Sequence, residues 1–213
     1  MILKLNGKTD IPADDEPISP LNSSVEDAVR LGADAVGYTL YVGSPRQAED
    51  FAQFRQVRHD AQRYGMPVVV WTYARGSAIR HKGGQTSFYA VDYAARVAAE
   101  LGADMMKVIW PDAKNETPVR PEYDGEFTSA QMLHAVVRSA GRVPVILSGG
   151  AKTSVDDLLS KARVAMDAGA TGLVFGRNFW QRDRSEALRL IVRIRNLLAR
   201  YPSTETLSEQ RSA

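Results

Sequence analysis

The chain has 213 residues, 44% apolar and 24% charged, and its 27 basic and 25 acidic side chains leave a formal net charge of +2. This length supports one sizeable core, the near balance of charge leaves no dense basic patch for nucleic acid, and no apolar run approaches the roughly 20 residues that span a bilayer. The absence of cysteine excludes disulfides, thiolate metal sites and cysteine nucleophiles, and it fits a reducing cytoplasm.

In chain order, ILKL (2–5) reads as a first strand that follows Met1 with no basic-then-apolar leader, which also points to the cytoplasm. Residues 6–23, rich in Pro, Asp and Asn, form a long loop, and a helix is expected near 24–31. Strand 33–42, helix 46–64, strand 67–73 and helix 87–101 follow. In the last of these Val91, Ala94, Ala95, Ala98 and Leu101 form one apolar stripe. Strand 103–110 leads into a second long loop, 111–127. After it come helix 128–140, strand 144–149, helix 154–168, strand 171–176 and a helix near 185–200. The polar tail from about 203 is expected to fray.

Alternating strands and helices imply βα units, a parallel sheet and a single domain over 1–213. The junctions RLGAD (30–34), ELGAD (100–104) and DAGAT (167–171) repeat, with glycine placed to end a helix in the left-handed region before the next strand. Asp34 and Asp104 therefore fall at strand N-termini, away from the end where parallel α/β folds gather their chemistry.

Candidate chemistry lies at the opposite end. Alternation in ADMMKVIW puts Met105, Lys107 and Ile109 on one side of the strand and Met106, Val108 and Trp110 on the other. A lysine in a doubly buried strand is desolvated, which favours the neutral amine, and a neutral amine attacks carbonyls. A lysine that reaches the barrel mouth or pairs with a carboxylate fits the same residues. Val69, Trp71 and Tyr73 share a face, and the phenol of Tyr73 is placed either to move protons or to serve as a satisfied core tyrosine. The turns SGGAKTS (148–154) and GRN (176–178) follow the last two strands. Their glycines, Gly149, Gly150 and Gly176, with Ser148 and Arg177, suit a phosphate, though each glycine also suits a simple tight turn. His59, His81 and His134 lack ligand spacing, so no metal or organic cofactor is expected.

KLNGKT (4–9), SVEDAVRLGADAVGYTLYVGS (24–44), PVVVWTYARG (67–76), YAARVAAELGADMMKV (93–108), VPVILSGGAKT (143–153) and GLVFGRNFWQR (172–182) run in one order over nearly the whole chain. In them the sequence resembles the archaeal-type class I fructose-bisphosphate aldolases, a family that also includes aldolase-like ketose-phosphate synthases. The resemblance implies a TIM (β/α)8-type barrel, Lys107 as the Schiff-base lysine, Tyr73 as the proton-transfer residue and Trp71 at the substrate. It also implies Ser148, Gly149, Gly176 and Arg177 around a sugar phosphate, and a homo-oligomer. The KLNGKT strand resembles the third of eight, so only six units are visible, and an Asp-His-Gly stretch carrying a catalytic aspartate has no counterpart. Asp10, Asp14 and Asp15 lie in the loop at the corresponding end. The expectation is a barrel with two open edges that cleaves fructose 1,6-bisphosphate. A transaldolase-like or acyl-transferring synthase using the same lysine, or a phosphate-binding subunit without turnover, remains an alternative.

Overall fold

The computed structural model describes residues 1–112 and 120–201. Part of the second long loop, 113–119, and the tail beyond 201 lie outside the described residues. Six strands, β1 (Ile2–Lys4), β2 (Ala35–Val42), β3 (Val68–Ala74), β4 (Met105–Val108), β5 (Val145–Ser148) and β6 (Gly172–Val174), form one sheet in sequence order. Every neighbouring pair is parallel. The sheet curls as a barrel wall that, among the described residues, stops short of closure and leaves β1 and β6 as open edges, in agreement with the six units read from the sequence.

The expected helices appear as α1 (Val25–Arg30), α2 (Gln47–Arg63), α4 (Phe88–Glu100), α5 (Ser129–Ser139), α6 (Val155–Asp167) and α8 (Arg184–Leu198). Two single-turn helices, α3 (Ser77–Arg80) and α7 (Arg177–Trp180), and a 3-10 turn at Pro121–Tyr123 are additions. At four residues or fewer they offer no periodicity to read. The long helices begin where the sequence supplies caps. Ser24 with Asp27 and Thr128 with Gln131 make reciprocal capping boxes, while Ser87 and Ser154 accept from the first turns of α4 and α6. At the other ends Gly32 and Gly102 take φ of 65° and 89°, the left-handed stop that the repeated junction demands.

The strands run shorter than their apolar runs. Ile109 and Trp110 fall outside β4, because Pro111 offers no N–H to a ladder and restricts the residue before it. The aspartates of the repeated junction act as braces: Asp104 accepts from the Val68 amide at 2.8 Å, and Asp34 pairs with the terminal ammonium.

The core sits between sheet and helices. Tyr38, Leu40, Val68, Val70, Met106 and Val108 are buried against Phe54, Ala94, Ala98 and Val136. A smaller cluster joins α6 and α8 through Leu158, Leu190 and Ile194. The other side of α8 exposes Leu188, Ile191 and Val192. Among the described residues no helix is long and apolar enough to cross a membrane.

The loop 6–23 is ordered and closes on itself at its neck. Asn22 and Ser23 donate to the Leu5 carbonyl at 2.7 and 3.1 Å, and Gly7 donates to Pro20 at 3.1 Å. Asn6, 1% exposed, continues β1 with its side chain. Its Oδ1 accepts from the Thr39 amide at 2.7 Å, and its Nδ2 donates to the Thr39 carbonyl at 2.9 Å. A carboxamide presents one donor and one acceptor, as a peptide unit does, so it extends the pairing by one step.

Candidate active site

Helix-facing positions are fixed by contacts. Tyr38 of β2 donates to Asp50 in α2 at 2.6 Å, and Thr72 of β3 donates to the Ala94 carbonyl in α4 at 2.8 Å. Because side chains alternate along a strand, Gly37, Thr39, Trp71, Tyr73 and Lys107 face the concave side. Register then sets their levels: Lys4, Gly37, Val69 and Met105 lie side by side, and the next level is Thr39, Trp71, Lys107, Ile146 and Gly172. Tyr41 and Tyr73 pair one level further toward the C-terminal ends.

Lys107 is 9% exposed, and its Nζ donates to the Tyr73 hydroxyl at 2.8 Å while lying 5.4 Å from that ring's centre. Trp71 is its direct partner across β3 and β4. The three residues expected to react or line the reaction are thus one cluster. The indole has room because residue 37 is glycine: a Cβ there would sit 2.5 Å from the Trp71 ring.

A second lysine shares this interior. Lys4 Nζ donates to the Asn6 carbonyl at 2.5 Å and to its Oδ1 at 2.8 Å, and it lies 5.5 Å from the centre of the Trp71 ring. Burial brings its pKa down from 10.5 to about 8, opposed by the Asp50 carboxylate and assisted by the charge of Lys107. Asp50 is fully buried, and burial raises its carboxyl above the usual range although the Tyr38 hydroxyl and Tyr41 amide favour the anion.

The depressed Lys4 value carries a stability consequence. The folded state gives up this proton near pH 8 and the unfolded chain near pH 10.5, so the unfolded chain binds more protons between them and stability gains with rising pH across that window. The variant Lys4→Met should lack this gain. Urea midpoints of both chains at pH 7 and pH 10 check it: the wild type should improve relative to the variant at the higher pH.

The two glycine turns stand at the ends of β5 and β6. Ser148 closes β5 on the concave side, two residues beyond Ile146. Gly149 donates to Val174 at 2.9 Å and carries the Phe175 ring where a Cβ would project, and Gly150 takes a φ of 66°. Gly176 caps α7 under the Trp180 ring, and Arg177 opens that helix with its side chain exposed. Sequence reasoning passed over the residue that joins these turns. Asn178, fully buried, donates to the carbonyls of Gly149 and Ala151 at 3.2 and 3.1 Å and accepts from the Thr153 amide at 3.1 Å.

A cavity of about 190 Å³ lies at the first turn, walled by Ser148, Gly149 and Gly150 together with Trp110, Leu147, Leu173 and Phe175. It opens on the helix side of the sheet, since Leu147 and Leu173 alternate with the concave Ile146 and Gly172. Lys107 is not among its walls. The histidines are exposed on separate segments, and among the described residues no group of three His, Asp or Glu side chains could hold a metal ion.

Three comparisons bear on this geometry. Over 183 residues the chain is 42% identical to the class 1 fructose-bisphosphate aldolase of Thermoproteus tenax, a match spanning 85% of this chain and 62% of that enzyme. It is 34% identical over 180 residues to the 2-amino-3,7-dideoxy-D-threo-hept-6-ulosonate synthase of Halobacterium salinarum, spanning 84% of this chain and 60% of that enzyme. The chain therefore spans less than two thirds of these curated relatives. A solved archaeal fructose-1,6-bisphosphate aldolase, with its catalytic lysine covalently bound to the carbinolamine intermediate of the substrate, superimposes with a TM-score of 0.78 at 38% identity, covering 92% of this chain and 70% of that one. With the model for DeoC/LacD family aldolases matching residues 1–182, the chain belongs to that family.

Proposed function

We propose that this chain carries the Schiff-base site of a class I aldolase that cleaves fructose 1,6-bisphosphate to dihydroxyacetone phosphate and glyceraldehyde 3-phosphate. The observation that carries the reading is the 2.8 Å hydrogen bond from Lys107 to Tyr73 in a largely enclosed interior, with Trp71 beside it. An amine, a proton carrier within reach and an aromatic wall are the parts that imine catalysis requires. The covalently trapped lysine of the solved archaeal aldolase supports the same assignment.

The Lys107 amine, once it has given up its proton, adds to the C2 ketone to form a carbinolamine, and loss of water gives a protonated imine. The C4 hydroxyl then gives its proton to the site's proton carrier, Tyr73, as the C3–C4 bond breaks and its electron pair moves toward the iminium nitrogen, leaving an enamine and releasing the aldehyde. Protonation of the enamine at C3 and hydrolysis of the imine free the ketone phosphate and restore the amine. Tyr73 moves protons to and from the carbinolamine and the enamine. Ser148, Gly149, Gly150, Gly176 and Arg177 hold the substrate's phosphate at the last two turns, and no metal enters the cycle. The reading includes a place in glycolysis or gluconeogenesis in the cytoplasm. It also includes a homo-oligomer, supported by the open edges and the exposed side of α8.

Borohydride reduction with fructose 1,6-bisphosphate present should leave a mass-stable adduct on Lys107, mapped by peptide mass spectrometry. Absence of an adduct in the intact chain would remove the catalytic assignment. The likeness to the heptulosonate synthase supports a second reading, in which the same lysine serves a synthase. A panel of ketose phosphates separates the two, because the aldolase reading requires cleavage of the bisphosphate.

A further inference from the structure

We propose that Asp14 is a positioning residue for the Tyr73–Lys107 pair, acting through Arg75. The inference rests on the aldolase reading of the same site. Three aspartates stand in the loop after β1, and the fold treats them differently. Asp10 is exposed, and Asp15 pairs with Arg80 at the surface. Asp14, its side chain 38% exposed, lies between two cations: one carboxylate oxygen meets Lys8 Nζ at 2.8 Å and the other faces Arg75 Nε at 3.6 Å.

Arg75 is the first residue after β3, and its side chain is 19% exposed. Its Nη1 donates to the Ala74 carbonyl at 2.9 Å, and its guanidinium carbon lies 5.1 Å from the centre of the Tyr73 ring. The guanidinium is therefore held by a carbonyl, a carboxylate and an aromatic face. The hydroxyl of the same ring takes the Lys107 hydrogen bond. A planar cation resting on the ring limits its rotation, and the ring's orientation sets where the hydroxyl points.

The loop is anchored where it delivers Asp14. Ser77 donates to the Asp15 carbonyl at 3.1 Å, and the Ser44 hydroxyl donates to the Pro17 carbonyl at 2.7 Å. Without the carboxylate, Arg75 keeps only the carbonyl and the ring, and its flexible stem is free to turn toward water. Lys8 loses its partner too, and that partner is the main reason its pKa is raised. Misplacement of a reacting group by about 1 Å costs on the order of 100-fold in rate. Partial loosening of a ring that Arg75 still touches should cost less.

The test uses the full chain with Asp14→Asn, Asp14→Glu, Arg75→Leu, the Asp14→Asn/Arg75→Leu pair, and Asp15→Asn as control. Asp14→Asn should lower kcat for bisphosphate cleavage by about 10-fold with KM within about twofold, below the limit for full misplacement. Asp14→Glu should recover part of it, Asp15→Asn should leave it unchanged, and the double variant should be no slower than Arg75→Leu alone. Additive losses in the double variant, or a rise in KM with kcat intact, would overturn the proposal. Aromatic NMR of the ligand-free chain supplies a readout apart from activity: the Tyr73 ring signals should move alike in Asp14→Asn and Arg75→Leu. Unmoved signals would overturn the proposal whether or not the chain cleaves sugar. A wild-type adduct on Lys107 with Asp14→Asn unaffected would sink this inference alone, whereas no wild-type adduct would sink the aldolase reading.

Discussion

Replacing Lys107 with methionine is expected to abolish the borohydride-stable adduct and to lower cleavage by about 10⁴-fold or more, the scale on which loss of a covalent nucleophile acts. Methionine matches the lysine stem in length and apolar character, so the strand between β3 and β5 should keep its packing. Circular dichroism and a urea titration of the variant would verify that. The experiment also decides between two amines. Lys4 lies in the same interior, one register level below Lys107, and its depressed pKa makes it a credible nucleophile. An adduct that survives in Lys107→Met and maps to Lys4 would transfer the assignment to the first strand.

Tyr73→Phe should lower kcat by about 10²- to 10⁴-fold, the range for loss of a positioned acid-base group. The Lys107 adduct should still form, more slowly, because the amine itself is untouched. Phenylalanine keeps the ring on which Arg75 rests and deletes only the hydroxyl that accepts from Lys107. Single-turnover measurements with borohydride quenching check the order of events. Unchanged turnover would make Tyr73 a packing residue and move proton transfer elsewhere in the interior.

Much of this architecture is legible in the sequence. Glycine at the repeated junctions fixed the helix ends, and an ammonium amid apolar neighbours singled out Lys107. Lys4 stands in a similar setting, ILKL, but a four-residue run at the start of the chain gave no periodicity to assign it a face. Its meaning comes from its register with Gly37, which is a tertiary fact. Asp14 was one of three equivalent aspartates until the closed loop set one of them between Lys8 and Arg75. Asn178 was overshadowed by its neighbours Gly176 and Arg177. Its partners lie 25 to 29 residues away, beyond what a local motif encodes. The single-turn helices α3 and α7 were missed because four residues cannot display a 3.6-residue repeat.

The Asn178 clasp means that the loops after β5 and β6 share one fastening. Lengthening either loop by a residue would pull the carboxamide off its seat and release both at once, so tolerated insertions in this region should occur only in compensating pairs. The end of the molecule opposite the junction glycines is therefore fastened as one component, although its halves are distant in sequence.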